Sequence, residues 1–492
     1  MIPGMPPSLL SELSERIATQ MGLHFPPERW HDLEQGLRLA ARELEFPSLA
    51  MCAQWLLATP LTKAQIAVLA GHLTVGETYF LRDDKLFAIL EHRVVPELIR
   101  DRRATGQRLR IWSAGCCTGE EPYSLAILLS RLLPDWRAWN ITILGTDINP
   151  GFLRKAAAGV YGQWSFRNEP PWLQHRCFHA RANGRFEILD EIKAAVTFSP
   201  LNLAEDTYPS LLTNTNAMDV ILCRNVLMYF SHERAFAVAR NLYRSLVDGG
   251  WLIVAPSETS PELFSQFQTV RCDGATLYRK DTARLPAADE ASRAASVFPL
   301  PDPQPTPTRS AIAWPQPVTA AKAADSLEAP YARAVALYGQ GRYEDAAATL
   351  RALCADSRGP PAALALLART YANQGHLVTA QEWADKAIAA DKLNAGLHFL
   401  LATIVHEEGD SEAAVRSLER ALYLDQNFVL AHFTLGNLTM RQGKALRARK
   451  HFENTVALLS RCPPDEVLPE SEGLTAGRLM DIVRTIGLED AP

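Results

Sequence analysis

The sequence lacks several features that would place the protein in a familiar functional class. Its eight cysteines form no CxxC pair and no Cys/His cluster at metal-ligand spacing, and no apolar run is long enough to cross a bilayer. The net charge of −5 and the pI of about 6.2 argue against nucleic acid or an anionic membrane as the partner. The first stretch, MIPGMPPSLLSELSER, has acids where a secretory signal needs an apolar core. We therefore expect a cytoplasmic, reduced protein that binds no metal.

The chain is long enough to form several domains. Its 492 residues, 47% of them hydrophobic, are too many for one core, so several domains are expected. Composition and periodicity divide the chain into five predicted segments. These are a helical domain at 1–75, an alternating α/β domain at 76–280, a Pro/Ala-rich linker at 281–325, helical repeats at 326–462, and an acidic tail with a capping helix at 463–492.

A strand, a small-residue loop and a helix follow one another in RIWSAGCCTGEEPYS at 110–124. This order lets backbone N–H groups and the positive end of a helix approach a nucleotide-type ligand. The loop is neither GxGxxG nor a phosphate loop ending in GK[ST]. It instead places Glu120 and Glu121 at the start of the helix. Two carboxylates suit a ligand with an ammonium group and hydroxyls, such as S-adenosylmethionine, better than a pyrophosphate.

Strand and helix patterns alternate between residues 85 and 280, which predicts a mostly parallel, doubly wound sheet. Polar residues follow three further strand candidates. Asp147 is placed to hold ribose hydroxyls, Asn202 to contact an adenine edge, and Asn225 to lie where reacting atoms meet. Because the carboxyl ends of parallel strands share one edge of a sheet, we expect these residues and the glutamate pair around one cleft.

The alternation breaks between residues 161 and 195. Asn183 and Gly184 lie between two extended runs, and Asn-Gly is a strong hairpin signal. This pattern predicts a small antiparallel insertion on the main sheet.

The C-terminal third contains an internal repeat. Gly341, Gly375, Gly409 and Gly443 are spaced 34 residues apart, and an alanine follows each one five residues later. This period resembles that of the tetratricopeptide repeat, in which glycine ends the first helix of a pair and alanine lets the two helices approach. Repeats are predicted to begin near Ala362, Ala395 and Val429, with a first one near Tyr331. Such an array offers a concave groove to a protein partner, which the sequence does not identify.

Residues 8–280 resemble the CheR family of chemotaxis receptor methyltransferases. The matching motifs are GETYFLRD (76–83), SAGCCTGEEPYS (113–124), GTDIN (145–149), SPLNL (199–203) and CRNVLMYF (223–230), in the family's order and at about its spacing. The resemblance implies an all-α N-terminal domain followed by a Rossmann-like, S-adenosylmethionine-dependent methyltransferase sheet with a β-subdomain insertion. It also implies esterification of glutamates on the cytoplasmic helices of chemotaxis-type receptors, with S-adenosylhomocysteine as the product of the cofactor.

The resemblance also implies roles for individual residues. Thr78 and Arg82 reach the cofactor and the reacting centre, and one of Glu120 and Glu121, with Glu121 favoured, binds the methionine ammonium. The remaining implied contacts are Asp147 to the ribose, the pairs Asn202–Leu203 and Asn225–Val226 to the adenosine and methionine ends, and Tyr229 as the active-site tyrosine. A core aromatic beside Phe230 is the other interpretation of Tyr229. Gly76 stands where many members have a ligand-contacting Asn, so its contact is made by backbone or is missing.

The substrate-docking features depart from the family's pattern. The second helix has mixed charge and no basic face, and the hairpin around Asn183 and Gly184 is short. We therefore predict a receptor partner that is recognised without a C-terminal pentapeptide.

Two other functions stay open: a methyltransferase of another protein substrate, and a repeat scaffold whose methyltransferase-like domain only senses the cofactor. A nucleic-acid amine is disfavoured, because the sequence has no NPPY-like motif and no basic stripe. A scaffold would be expected to have lost Arg82 or Tyr229, and both are present.

Overall fold

The computed structural model describes residues 5–281 and 321–485, apart from short gaps at 60, 104–105, 168–169, 171, 206, 273, 355–358 and 472. Most of the linker predicted at 281–325 lies outside these described residues, as does the end of the predicted tail beyond residue 485. None of the helices in the described ranges combines the length and apolarity needed to cross a bilayer.

Four helices form the N-terminal region: α1 (Pro7–Met21), α2 (Trp30–Glu43), α3 (Leu49–Ala58) and α4 (Lys63–Leu73). Local sequence explains several of their ends. Ser48 caps α3, Thr62 and Gln65 form a capping box on α4, and Gly22 ends α1 with φ of 80°. The apolar faces meet in one core around residues such as Leu13. The predicted helical region is confirmed.

Two further helices, α5 (Asp84–Ile89) and α6 (Val95–Arg103), lead into the strands. The strands are β1 (Arg108–Ala114), β2 (Asn140–Asp147), β3 (Val160–Tyr161), β4 (Phe178–Arg181), β5 (Arg185–Ile188), β6 (Val196–Pro200), β7 (Met218–Cys223), β8 (Leu246–Val254), β9 (Gln268–Cys272) and β10 (Ala275–Arg279).

Seven of these strands form the main sheet, in the order β6-β2-β1-β7-β8-β10-β9. The first five are parallel to one another, and β10 is antiparallel to both β8 and β9. The predicted mostly parallel sheet is therefore confirmed. Because the chain moves outward in both directions from β1, a crevice opens at the carboxyl end of this central strand.

Helices cover both faces of the main sheet. They are α7 (Glu120–Leu132), α8 (Pro150–Ala158) and α11 (His232–Ser245), while the shorter α9 (Trp172–Cys177) and α10 (Asp190–Lys193) belong to the insertion. Alternate residues of one strand enter opposite cores: Ile111 packs on one face and Trp112 on the other. Burial on both faces explains why β7 is a nearly continuous apolar run in the sequence, while β1, which is buried to a similar extent, also includes Arg110 and Ser113.

The insertion is a three-stranded antiparallel sheet in the order β3-β5-β4. The turn between β4 and β5 consists of Ala182–Gly184, and both Asn183 and Gly184 have positive φ, 59° and 65°. Asparagine and glycine tolerate this left-handed conformation better than other residues. The Asn-Gly signal thus located the hairpin correctly.

In the C-terminal region, the residues described between 321 and 485 form four helical hairpins and a final helix. The helices are α12 (Ala321–Gly339), α13 (Tyr343–Leu353), α14 (Pro361–Asn373), α15 (Leu377–Ala390), α16 (Ala395–Glu408), α17 (Ser411–Leu424), α18 (Val429–Arg441), α19 (Ala445–Leu459) and α20 (Ala476–Thr485). All four glycines of the repeat lie at the inner turns with positive φ, and the alanine five residues after each is fully buried. The predicted repeat architecture is confirmed; α12 begins within the range that the sequence assigned to the linker.

The repeats pack against the amino-terminal edge of the main sheet. Arg108, at the start of β1, forms an ion pair of 3.0 Å with Glu407 of α16, and the amide of Asn140 donates to the Glu407 carbonyl at 2.7 Å. Leu211, in the loop between β6 and β7, is buried among apolar residues of α14, α15 and α16. The sheet therefore has one edge covered by the repeats and the opposite edge free to form a cleft.

Candidate functional site

A large cleft lies at the carboxyl ends of the parallel strands, between the sheet and the N-terminal helices. It contains about 1010 Å³ of empty space, part of it continuous with solvent, which is enough for a nucleoside-sized ligand. Nine of the residues predicted for the site line it: Thr78, Arg82, Glu121, Asp147, Asn202, Leu203, Asn225, Val226 and Tyr229. Gly76 and Glu120 do not.

The two adjacent glutamates have different surroundings. Glu120 is 2% exposed and accepts hydrogen bonds from the hydroxyls of Thr118 (2.6 Å) and Ser165 (2.9 Å), on the side of the insertion. Burial raises the pKa of the Glu120 carboxyl, and these hydroxyl donors act against that rise. Glu121 instead lines the cleft and accepts a bond of 2.7 Å from Ser113. The arrangement leaves Glu121 as the carboxylate able to meet a ligand.

Asp147 ends β2 at the wall of the cleft. Its carboxylate accepts backbone N–H bonds from Cys117 and Asn149, both 2.9 Å long. Burial nevertheless raises the pKa of Asp147 to about 6, because these donors only partly compensate for the loss of water. A carboxylate held in this way is a suitable acceptor for a pair of hydroxyl groups.

The two amide-bearing loops reach the cleft from neighbouring strands. Asn202 follows β6, and its side-chain amide donates at 3.4 Å both to the Gln20 carbonyl and to Glu205. Asn225 follows β7 in the left-handed region, with φ of 58°, which turns the chain sharply at the strand end. Apolar side chains such as Leu203 and Val226 complete walls that a flat, largely apolar ring could occupy.

Sequence reasoning missed Glu258, which organises the second of these loops. Its buried carboxylate accepts backbone N–H bonds from Asn225 (2.7 Å), Val226 (2.7 Å), Met228 (3.2 Å) and Ala255 (3.1 Å). Four donors on one carboxylate fix the path of the chain between β7 and Tyr229. The available signal was an acid, Glu258, shortly after the apolar strand β8.

Arg224 belongs to the motif CRNVLMYF and has no predicted role of its own, but the structure gives it a central position. Its side chain is 4% exposed and pairs with Asp83 at 3.1 Å and with Glu121 at 3.3 Å. It also donates to the backbone carbonyl of Arg82 at 3.0 Å. Arg224 therefore aligns the segment that carries Arg82 with the helix that carries Glu121.

Arg82 itself keeps its guanidinium partly exposed at the cleft. One nitrogen donates to the Glu77 carbonyl at 2.6 Å, and the group lies 5.8 Å from the ring centre of Tyr79. These contacts orient the side chain without an ion pair to a carboxylate of this chain among the described residues. Its charge can therefore be shared with a carboxylate that enters from solvent.

The N-terminal helices form the opposite wall of the cleft. Asn149 donates to the Ala70 carbonyl (3.3 Å) and to the Thr74 hydroxyl (2.9 Å), which joins α4 to the end of β2. The His24 N–H donates to the Tyr229 carbonyl at 2.7 Å. The Tyr229 ring packs against the N-terminal core while also lining the cleft, so both interpretations of this residue describe part of its position.

Gly115 lines the cleft and has φ of 82°. A Cβ atom built there would lie 2.4 Å from the Val226 side chain. Only glycine fits this position, and the loop therefore runs close to the space where a ligand would lie.

Acids at two strand ends, amides at two others and apolar walls between them match the ammonium, ribose and adenine of S-adenosylmethionine.

This fold and this cleft define a methyltransferase. A family model described as "CheR methyltransferase, SAM binding domain" matches residues 76–276, and tetratricopeptide-repeat models match residues 328–352, 361–386 and 395–428. The chain thus carries an S-adenosylmethionine-binding domain followed by tetratricopeptide repeats.

Similar curated proteins place the chain in its family. "Chemotaxis protein methyltransferase 2" of Vibrio cholerae is 34% identical over 216 residues, 44% of this chain and 73% of the relative. "Chemotaxis protein methyltransferase 1" of Pseudomonas aeruginosa is 37% identical over 212 residues, 42% of this chain and 74% of the relative. A probable chemotaxis protein methyltransferase of Rhizobium etli is 33% identical, covering 47% and 84%. The chain belongs to the CheR methyltransferase family.

Proposed function

We propose that the protein transfers the methyl group of S-adenosylmethionine to glutamate carboxylates of chemotaxis-type receptors and forms glutamate methyl esters. The observation that carries this proposal is the meeting of Glu121, Asp147 and Arg82 around one cleft. Two acids match the cationic and hydroxyl-rich parts of the cofactor, and an exposed arginine beside them matches an anionic substrate.

Each cleft residue has a role in this proposal. Glu121 binds the methionine ammonium, and Asp147 accepts hydrogen bonds from the ribose. Asn202 and Leu203 contact the adenosine end, while Asn225 and Val226, held by Glu258, lie beside the methionine end. Thr78 contacts the cofactor from the wall opposite the sheet. Gly76 and Glu120, which do not line the cleft, make no side-chain contact with the cofactor in this proposal.

The chemistry requires little from the enzyme beyond alignment. A glutamate carboxylate is ionised at neutral pH and is already a nucleophile, so no general base is needed. The bound cofactor supplies an electrophilic methyl group on a sulfonium. With the cofactor bound, a substrate oxygen would form a bond to the methyl carbon while the sulfur–carbon bond breaks, and the electron pair of that bond would remain on the sulfur. Positioning the two groups in line supplies most of the rate enhancement.

Arg82 presents the substrate carboxylate in this scheme. A planar guanidinium can hold one carboxylate oxygen and leave the other directed at the methyl group. Tyr229, across the cleft, donates a hydrogen bond to the carboxylate or to the forming ester. The Arg82 guanidinium carbon lies 5.8 Å from the ring centre of Tyr79, a ring that Arg167 approaches more closely, at 4.1 Å.

Receptor recognition is proposed to be independent of a C-terminal pentapeptide. The hairpin of β4 and β5 has four residues in each strand, which leaves a small surface for gripping a receptor tail. The repeats are proposed to bind a protein partner. A methyltransferase acting on another protein substrate is the alternative that the following experiment separates.

The direct test is transfer of tritiated methyl groups from S-adenosylmethionine to receptor cytoplasmic fragments, with and without their C-terminal tails. We expect label that mild base releases as methanol, which is the signature of a carboxyl ester, and equal labelling of both fragments. A fragment whose candidate glutamates are replaced by alanine is the matched control. Label that resists base, or that persists in this control, would contradict the proposal.

A further inference from the structure

The last helix of the C-terminal region, α20, contacts a loop that also lines the cofactor cleft. Helix α20 packs beside α4 of the N-terminal region and faces the loop between β6 and β7. Near its start that loop contains Asn202 and Leu203, which line the cleft, and it continues to Leu211, which is buried among the repeat helices. One segment of chain therefore joins the site to the repeats.

A short series of polar contacts connects α20 to the cleft. Arg478 donates from one guanidinium nitrogen to Glu205 at 2.5 Å and to the Thr207 hydroxyl at 2.8 Å. The other oxygen of Glu205 accepts from the Asn202 amide at 3.4 Å. Glu205 thus lies between an arginine of the repeat region and an amide that lines the cleft.

Burial distinguishes this ion pair from the ordinary surface pairs of the repeats. The side chain of Arg478 is 8% exposed and that of Glu205 is 33% exposed. By comparison, Arg447 and Glu419 form a pair within the repeats with side chains that are 45% and 48% exposed. Burial lowers the pKa of Arg478, and Glu205 acts in the opposite direction. Loss of the carboxylate partner costs more free energy for a buried guanidinium than for an exposed one, because water cannot replace the lost hydrogen bonds.

The backbone around Asn202 explains why this contact matters for a ligand. The Asn202 side-chain oxygen is already used by the Ala204 N–H at 3.0 Å, which fixes the turn. Its amide group has two anchors, the Gln20 carbonyl and Glu205. If Glu205 loses its bond to Arg478 and moves, the Asn202 NH2 group keeps only its bond to the Gln20 carbonyl. The orientation of the amide is then less firmly fixed.

We infer that Arg478 of α20, the helix that follows the repeats, is a positioning residue for the cofactor site, acting through Glu205 on Asn202. The inference rests on the proposed assignment of Asn202 to the adenosine end of the cofactor. It makes the C-terminal helical region, through α20, a structural part of the methyltransferase site in addition to any role of the repeats in partner binding. An event that displaces α20 would then weaken cofactor binding.

The test measures cofactor binding and kinetics in the full-length protein. Arg478→Met removes the charge and keeps an unbranched apolar side chain, and we expect the Kd and KM for S-adenosylmethionine to rise about five- to ten-fold, which is within the range for one lost neutral hydrogen bond. The kcat at saturating cofactor should change less than about two-fold, because the reacting groups are not moved. Arg478→Lys should recover part of the affinity, and Arg447→Met in the exposed pair should match the wild type.

A double-mutant cycle with Asn202→Ala tests the route of the effect. If Arg478 acts through Asn202, adding Arg478→Met to Asn202→Ala produces no further loss of affinity. Full additivity of the two changes, or unchanged affinity in a folded Arg478→Met protein, overturns the inference. A loss that Arg478→Lys does not relieve, accompanied by a lower melting temperature, also overturns it. Failure of the wild type to bind S-adenosylmethionine would instead overturn the proposed function.

Discussion

The two edges of the main sheet use the same kinds of residues for opposite purposes. At the amino-terminal edge, Arg108 pairs with Glu407 and the repeats cover both. At the carboxyl-terminal edge, Glu121 and Asp147 face a cleft whose space matches a nucleoside-sized ligand. A charged residue at a strand end therefore indicates a site only where the tertiary structure leaves open space beside it. The predictions below test that contrast.

The largest effect is expected at the open edge, for Arg82→Ala. Loss of the group that presents the substrate carboxylate should lower methyl transfer about 100- to 1000-fold. Cofactor affinity and melting temperature should change little, since the guanidinium is partly exposed. Methyl-transfer rates measured with a receptor fragment, together with cofactor affinity measured by calorimetry, test this prediction. Arg82→Lys should have an intermediate rate of methyl transfer. Arg416→Ala, on the surface of the repeats, is the control and should keep the wild-type rate. A wild-type rate in Arg82→Ala would contradict the role of Arg82 in presenting the substrate carboxylate.

At the covered edge, Glu407→Ala should lower the free energy of unfolding by about 3 kcal/mol, because it leaves the Arg108 guanidinium buried without its carboxylate. Thermal unfolding followed by circular dichroism measures the change. Glu419→Ala removes a carboxylate from an exposed pair and should cost no more than about 0.5 kcal/mol. Equal losses in the free energy of unfolding for the two variants would show that the repeats do not bury the ion pair of Arg108 and Glu407.

Glu120 and Glu121 show the same contrast, between an enclosed carboxylate and one beside open space, within one helix turn. Glu121→Gln should weaken binding of S-adenosylmethionine about 30-fold, since it removes the charge that pairs with the ammonium. Glu120→Gln should change that affinity less than about two-fold, because Glu120 faces Thr118 and Ser165 and not the cleft. Isothermal titration on both variants provides the comparison. A larger loss in Glu120→Gln would reverse the assignment.

The smallest effect concerns pH. Burial raises the pKa of Asp147 to about 6, so the carboxyl becomes neutral as the pH falls through that value. Binding that needs the carboxylate is then present above pH 6 and lost below it. Affinity for S-adenosylmethionine should fall several-fold, and at most about ten-fold, between pH 7 and pH 5. In Asp147→Asn the affinity should be low and show no inflection near this pH; an unchanged inflection would assign the titration to another group.

Much of this architecture could be predicted from local sequence patterns. The 34-residue spacing located the repeats, because each glycine must take a positive φ at an inner turn and each alanine must allow two helices to meet. The Asn-Gly pair located the hairpin for a similar local reason. Strand ends with acids and amides pointed to one edge of a sheet, where the cleft lies.

Other parts of the site could not be predicted from the same patterns. Glu258 lies far along the chain from the loop that it holds, and its four N–H partners come together only when β7 and β8 pair. Arg224 meets Asp83 across a separation of 141 residues. No periodicity or motif spacing reports such contacts, because they depend on where separate elements pack.

The sequence by itself determined the order of the domains, the alternation that builds the sheet and the residue types at the ends of its strands. These follow from short-range rules of burial and backbone conformation that act within a few residues. Only the tertiary structure decided that Glu121 faces the cleft while Glu120 faces away, and that the repeats cover the other edge of the sheet. Those outcomes depend on the direction of each side chain relative to distant elements, which is settled only by how the assembled core packs.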